Sequence, residues 1–113
     1  MKLDNIPAFE GNNINVIIET PLGSRFKYGY DPLLDVMKVK HHLPKGYFFA
    51  FNFGFIPNTQ AEDGDPLDVV VYTDDVCISG ALFECRLSAR YWQAKRKMVR
   101  RYAMIELSQF LQE

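Results

Sequence analysis

Apolar and polar residues alternate along this chain in short blocks separated by Gly, Pro, Asn and Asp. Such blocks predict short, half-buried strands joined by tight turns. Ile14-Asn-Val-Ile-Ile-Glu-Thr20 is rich in β-branched residues, and Phe26–Tyr30 follows it across the turn Pro21-Leu-Gly-Ser-Arg25. The two are expected to pair as a first hairpin. Val36–Lys40, Leu67–Tyr72, Cys77–Cys85 (interrupted by Gly80) and Met98–Leu107 read as further strands, with 86–92 extended. Tyr47–Ile56 sets aromatics at 47, 49, 51, 53 and 55, one dense face expected to be core. Residues 1–13, broken by Pro7 and Gly11-Asn-Asn, read as a loose N-terminal segment of a single domain covering 1–113. Ser108 is placed to cap a short C-terminal helical turn. The whole pattern is mainly β, with the strand number and turn spacing of a small barrel.

Composition narrows this only modestly. A chain of 113 residues, 48% hydrophobic and 24% charged, has the make-up of one globular domain with a core of limited size. Nine Phe and six Tyr raise the area that each core residue can bury. A net charge of −1 gives no electrostatic reason to expect nucleic acid or a membrane surface. No apolar run approaches the length of a bilayer span, and Met1-Lys-Leu-Asp-Asn5 has no signal-peptide character. Cys77 and Cys85, flanked by apolar residues and lacking zinc-like spacing, are expected to be buried free thiols, which fits a cytoplasmic setting.

Charge, by contrast, is unevenly placed. Five acids and no base fall between Asp63 and Asp75, and seven basic residues and no acid between Arg86 and Arg101. The chain is organised around Asp63-Gly64-Asp65-Pro66-Leu67-Asp68, where three aspartates stand at i, i+2 and i+5 just before a strand. Gly64 and Pro66 make a sharp bend that can bring the three carboxylates together. Clustered anions need a compensating cation, and hard oxygen donors too few to fill a shell suit Mg²⁺ or Mn²⁺ sharing phosphate oxygens and water. On spacing alone an ordinary acidic surface turn explains the same residues. Glu19 and Lys27, near the ends of the first two strands, are either a surface ion pair or two groups facing one ligand.

Resemblance separates these alternatives. Asp63-Gly-Asp-Pro-Leu-Asp-Val69 is similar to the signature of the soluble inorganic pyrophosphatases with the small barrel fold. Asn15–Tyr28, Phe53-Gly-Phe-Ile-Pro-Asn-Thr59 and Gly80–Arg86 resemble that family too, in the family's order. The likeness covers roughly residues 14–87. It implies a five-stranded OB-like barrel, with little helix before residue 113, and Mg²⁺-dependent hydrolysis of pyrophosphate or a related phosphoanhydride. It also implies a homo-oligomer. By position, Asp63, Asp65 and Asp68 match metal-binding aspartates, and Asp65 the carboxylate that helps deprotonate the attacking water. Glu19 matches an active-site carboxylate, Lys27 a phosphate-binding lysine, and His41 a position that often holds a phosphate-binding arginine. Arg101 is the candidate for a further basic phosphate ligand.

The chain departs from that pattern at Gly29, where many members carry a glutamate, at Phe53, which replaces a tyrosine, and over Arg90–Arg101, where further acids are expected. Pyrophosphatase activity, in a weakened form, is therefore the first expectation. A non-catalytic phosphate- or nucleotide-binding barrel of the same descent is the second, and an interaction module using its aromatic surface the third.

Overall fold

The computed structural model describes residues 3–60, 64–73, 75–87 and 103–107. Among these residues a short 3-10 turn at Leu3–Asn5 is followed by eight strands: β1 (Phe9–Glu10), β2 (Asn13–Thr20), β3 (Phe26–Asp31), β4 (Val36–His42), β5 (Asn52–Ile56), β6 (Leu67–Tyr72), β7 (Leu82–Leu87) and β8 (Ala103–Leu107). The strands β2, β5, β6, β8 and β7 hydrogen-bond in that order, and β7 returns to pair with β2. Five strands thus close on themselves, antiparallel throughout except for the parallel β6–β8 pair. This is the expected OB-like barrel. Among the described residues no helix is long and apolar enough to cross a membrane.

Strand β2 carries the barrel. Ile14 and Ile17 each face a partner on both sides, β1 or β5 along one edge and β7 along the other. Ile14, Val16 and Ile18 point inward with Ile56, Val69, Val71, Cys77 and Cys85 to form the core. Both cysteines are free thiols, as the sequence suggested. Burial pushes Cys77 up to about 11 and Cys85 up to about 12, so neither ionises at neutral pH. Where β5 crosses β2, Gly54 lies so close that a Cβ would overlap the Ile17 carbonyl oxygen. Only glycine permits that approach.

Three local expectations are revised. The N-terminal segment is tied down, since β1 pairs with β2 and Asn15 Nδ2 donates to the Pro7 carbonyl at 2.8 Å. The first hairpin does not form as a ladder. Both edges of β2 are already bonded to β5 and β7, so β3 pairs with β4 in a separate two-stranded sheet. The aromatic stretch is core only in part. Strand β5 begins at Asn52, while Phe49 exchanges backbone bonds with the 23–24 turn. Phe55 is buried, but Tyr47, Phe48 and Phe51 are exposed. Within the expected 98–107 strand, 103–107 is β8; the helical turn at 108–113 and the basic run from residue 88 to 101 lie outside the described residues.

Candidate active site

On the outer face of the barrel, Glu19 of β2 and Asp68 of β6 border the β3–β4 hairpin. Glu19, Thr20, Lys27, Tyr28, Phe49, Phe53, Gly54 and Asp68 line a cleft of about 220 Å³ there. Three residues singled out from sequence, on three different strands, therefore meet at one place. A wider cleft of about 840 Å³ lies between Leu3–Asn5, Tyr30 and residues 57–60, Gly64 and Pro66, but it contains none of Glu19, Lys27 or Asp68. Charges of both signs converge in the smaller one, which makes it the candidate site.

Glu19 owes its position to a break in pairing. The β2–β5 ladder steps from Ile18↔Gly54 to Thr20↔Phe53, so Glu19 is an extra residue at a β-bulge, a device that redirects a side chain. Its Oε2 accepts from the Tyr30 backbone N–H at 2.8 Å, and its carbonyl accepts from the Ser79 hydroxyl at 2.6 Å. Burial raises the Glu19 carboxyl above its ordinary 4.5, and the Asp68 charge raises it further. The Tyr30 N–H, Lys27 and Lys40 pull it back. A carboxyl held this way is primed to exchange protons or to welcome a cation.

Asp68 stands opposite Phe55 on β6, on the exposed outer face. Asp65 is exposed in the turn before it, where Gly64 takes φ +88°. Thr59 fastens the base of this loop, donating to the Ile56 carbonyl at 2.6 Å and accepting from the Leu67 N–H at 2.9 Å. Asp63 and Arg101 lie outside the described residues. Among the described residues no group of three His, Cys, Asp or Glu side chains is close enough to hold a metal ion. Asp65 and Asp68 remain as two hard oxygen donors, which suits an ion such as Mg²⁺ that binds through one or two carboxylates and completes its shell with water and phosphate.

The cations come from the hairpin. Lys27 pairs directly with His41, so the two side chains share a face. Phe26 pairs with His42, whose ring stacks on it at 4.6 Å on the opposite face. The His41-His42 doublet is thereby divided, His41 beside Lys27 and His42 in a structural stack. Thr20 ties the hairpin to the barrel: its hydroxyl donates to the Tyr28 carbonyl at 3.0 Å and accepts from the Tyr28 N–H at 3.1 Å.

Two contributors went unrecognised in the sequence. Asn52, fully buried, accepts from Leu22 N–H (2.8 Å) and Cys77 N–H (3.0 Å) and donates to the Asp75 carbonyl (3.0 Å). It joins the turn at Leu22 to the segment Asp75–Cys77. The other is Lys40, whose stem covers Gly29. A polar residue inside an aromatic run and a lysine in a strand of alternating charge gave no signal of either role.

Comparison with known proteins agrees with the residues. The family model for inorganic pyrophosphatase matches residues 16–90. An inorganic pyrophosphatase of Saccharolobus solfataricus is 47% identical over 75 residues, 66% of this chain and 44% of that protein. The crystal structure of inorganic pyrophosphatase from Thermus thermophilus superposes with a TM-score of 0.71 at 38% identity, over 77% of this chain and 51% of that one. That of Ehrlichia chaffeensis gives 0.74 at 30% identity, over 93% and 67%. The chain thus spans less than half the length of the Saccharolobus relative. With the family match extending over well more than half of its residues, the chain belongs to the inorganic pyrophosphatase family.

Proposed function

We propose that this chain hydrolyses pyrophosphate to two phosphates in its Glu19–Lys27–Asp68 cleft. The observation that carries the reading is the meeting of these three residues, from β2, β3 and β6, in one cleft that Asp68, the last of the three clustered aspartates, enters. Asp65 and Asp68, with Asp63, are the residues to hold Mg²⁺, with Mn²⁺ as the alternative ion. When bound, such an ion neutralises the phosphoanhydride and acidifies a water.

The chain's own groups account for the rest. Asp65, exposed in a turn anchored through Thr59, accepts the proton of the attacking water. That water's oxygen bonds to one phosphorus as the bridging P–O bond breaks, and the leaving phosphate departs with the bridging oxygen. Lys27 donates to phosphate oxygens, with His41 next to it on the same face of the hairpin and Arg101 as a further basic ligand. Glu19 balances the cationic side of the cleft.

Phosphate release from pyrophosphate, measured with and without Mg²⁺ for wild type and Asp65→Asn, tests this. Metal-dependent release that falls roughly 100-fold or more in the variant is expected. No release from either protein with Mg²⁺ or Mn²⁺ would leave a phosphate-binding barrel without catalysis. The two buried free thiols support a cytoplasmic protein. Exposed Leu33, Leu34, Tyr47 and Phe48 support a homo-oligomer, which a solution mass from ultracentrifugation checks.

A further inference from the structure

We propose that Lys40 is an additional substrate-binding cation at the Glu19 edge of this cleft, placed there by a β-bulge and by the bare backbone of Gly29; the proposal rests on the pyrophosphate reading above. In the β3–β4 ladder Tyr28 pairs with Val39 and Lys27 with His41, so Lys40 is the extra residue between them. Strict alternation would send neighbouring side chains to opposite faces, and a bulge breaks that rule locally. A Cβ built on Gly29 would stand 2.9 Å from Lys40 Cε, 3.2 Å from Lys40 Cγ and 3.6 Å from Glu19 Oε2. The lysine stem therefore runs over Gly29 toward Glu19, itself the extra residue of the β2–β5 ladder. Two bulges on two sheets bring opposite charges to one point beside Gly29, at the Glu19 edge of the cleft.

A merely structural lysine in this strand behaves differently. Lys38, two residues earlier, lies 3.9 Å from Asp31 in an exposed pair. Lys40 closes no ion pair among the described residues, and it is exposed, so its ammonium can exchange water for phosphate oxygens. A diphosphate carries more negative charge than Lys27 alone can offset, and a second donor from the next strand widens the grip to both phosphoryl groups.

Steady-state phosphate release, with calorimetric binding of pyrophosphate at matched Mg²⁺, tests the assignment. Lys40→Met is expected to raise KM and Kd roughly 10-fold with kcat changed less than about 3-fold, and Lys40→Arg to restore most of the loss. Gly29→Ala provides an independent route, because its Cβ displaces the flexible lysine end and leaves the backbone in place. It should reproduce the rise, and add nothing to Lys40→Met. Unchanged KM and Kd in Lys40→Met, beside a rise in Lys27→Met, overturn the role of Lys40 while leaving the cleft as the site. If wild type releases no phosphate, the hydrolytic reading fails and the Kd series decides: weaker binding in Lys40→Met supports the assignment, and equal binding overturns it.

Discussion

The barrel wall and the β3–β4 hairpin supply the two halves of the cleft by opposite means. Strand β2 is bonded along both edges, and every residue from Ile14 to Ile18 is buried. The hairpin has one ladder of its own, and most of its side chains face solvent. Acidic Glu19 and Asp68 stand on the wall, whereas basic Lys27, Lys40 and His41 stand on the hairpin. The contrast has a physical logic. Carboxylates brought close together repel, so they need rigid backbone to stay in place. Long cationic side chains carry their charge at the end of a flexible stem, so a hairpin exposed to solvent suffices to hold them. Among the described residues, side-chain-to-backbone bonds from Thr20 and Glu19 to Tyr28 and Tyr30, with the Tyr30 ring against Phe55, join the halves.

The sharpest way to break the comparison is to damage the wall. Gly54→Ala drives a methyl group into the Ile17 carbonyl at the β2–β5 crossing, where neither backbone can yield. A loss of about 4 kcal/mol or more is expected, comparable with the whole stability of a small domain. Denaturant unfolding measures it, and a loss below about 1 kcal/mol would show the wall to be more compliant than its bonding suggests. Asn52→Ala comes next. It strands the buried Cys77 N–H and the half-buried Leu22 N–H and Asp75 carbonyl, for roughly 2–3 kcal/mol. A cost near zero in the same titration would mean that water takes over those three bonds.

How far the sequence foretold this division depends on the kind of signal. Runs of β-branched residues at Ile14–Thr20 and Leu67–Tyr72 mark strands because such side chains pack well on a pleated, buried surface. The acidic turn and its neighbours marked the cleft through resemblance, and Glu19, Lys27 and Asp68 do meet there. Pairing partners were less legible. Residues 14–20 and 26–30 are joined by a short turn, which favours a hairpin locally, yet β5 and β7 from far along the chain occupy both edges of β2. The exposed half of the aromatic run misled for a similar reason: alternation records which residues share a face, not whether a second layer covers it. Bulges leave no trace in composition, so the aim of Glu19 and Lys40 became visible only with the ladder registers.

Cutting the tether should separate the two halves without unfolding either. In Thr20→Val the shape stays and the hydroxyl goes, leaving the Tyr28 N–H and carbonyl to water or to nothing. About 1–2 kcal/mol of stability is expected to be lost. Amide exchange should rise across β3 and β4 while β2, β5 and β6 keep their protection. KM for pyrophosphate should increase several-fold, since the cations lose their register against the carboxylates. Uniform acceleration of exchange through the barrel would mean that wall and hairpin open as one unit.

The smallest expected effect runs in the opposite direction, toward a more stable protein. Burial is the largest influence on Glu19 and raises its folded pKa above the ordinary 4.5, with Asp68 adding to it against the pull of Tyr30 N–H, Lys27 and Lys40. A carboxyl whose folded pKa is raised contributes stability that is complete below 4.5 and lost as pH climbs through the folded value. The wild-type wall thus carries a cost at neutral pH that an uncharged isostere avoids. Glu19→Gln, which can still accept from the Tyr30 N–H, should melt with wild type in metal-free buffer below pH 4.5 and above it at neutral pH. Phosphate release should fall in the same variant, the usual exchange of activity for stability at a charged site. A variant less stable than wild type at neutral pH would reverse the order of forces: Lys27 and Lys40 would then outweigh burial, and the hairpin would hold the wall's carboxylate in its charged form.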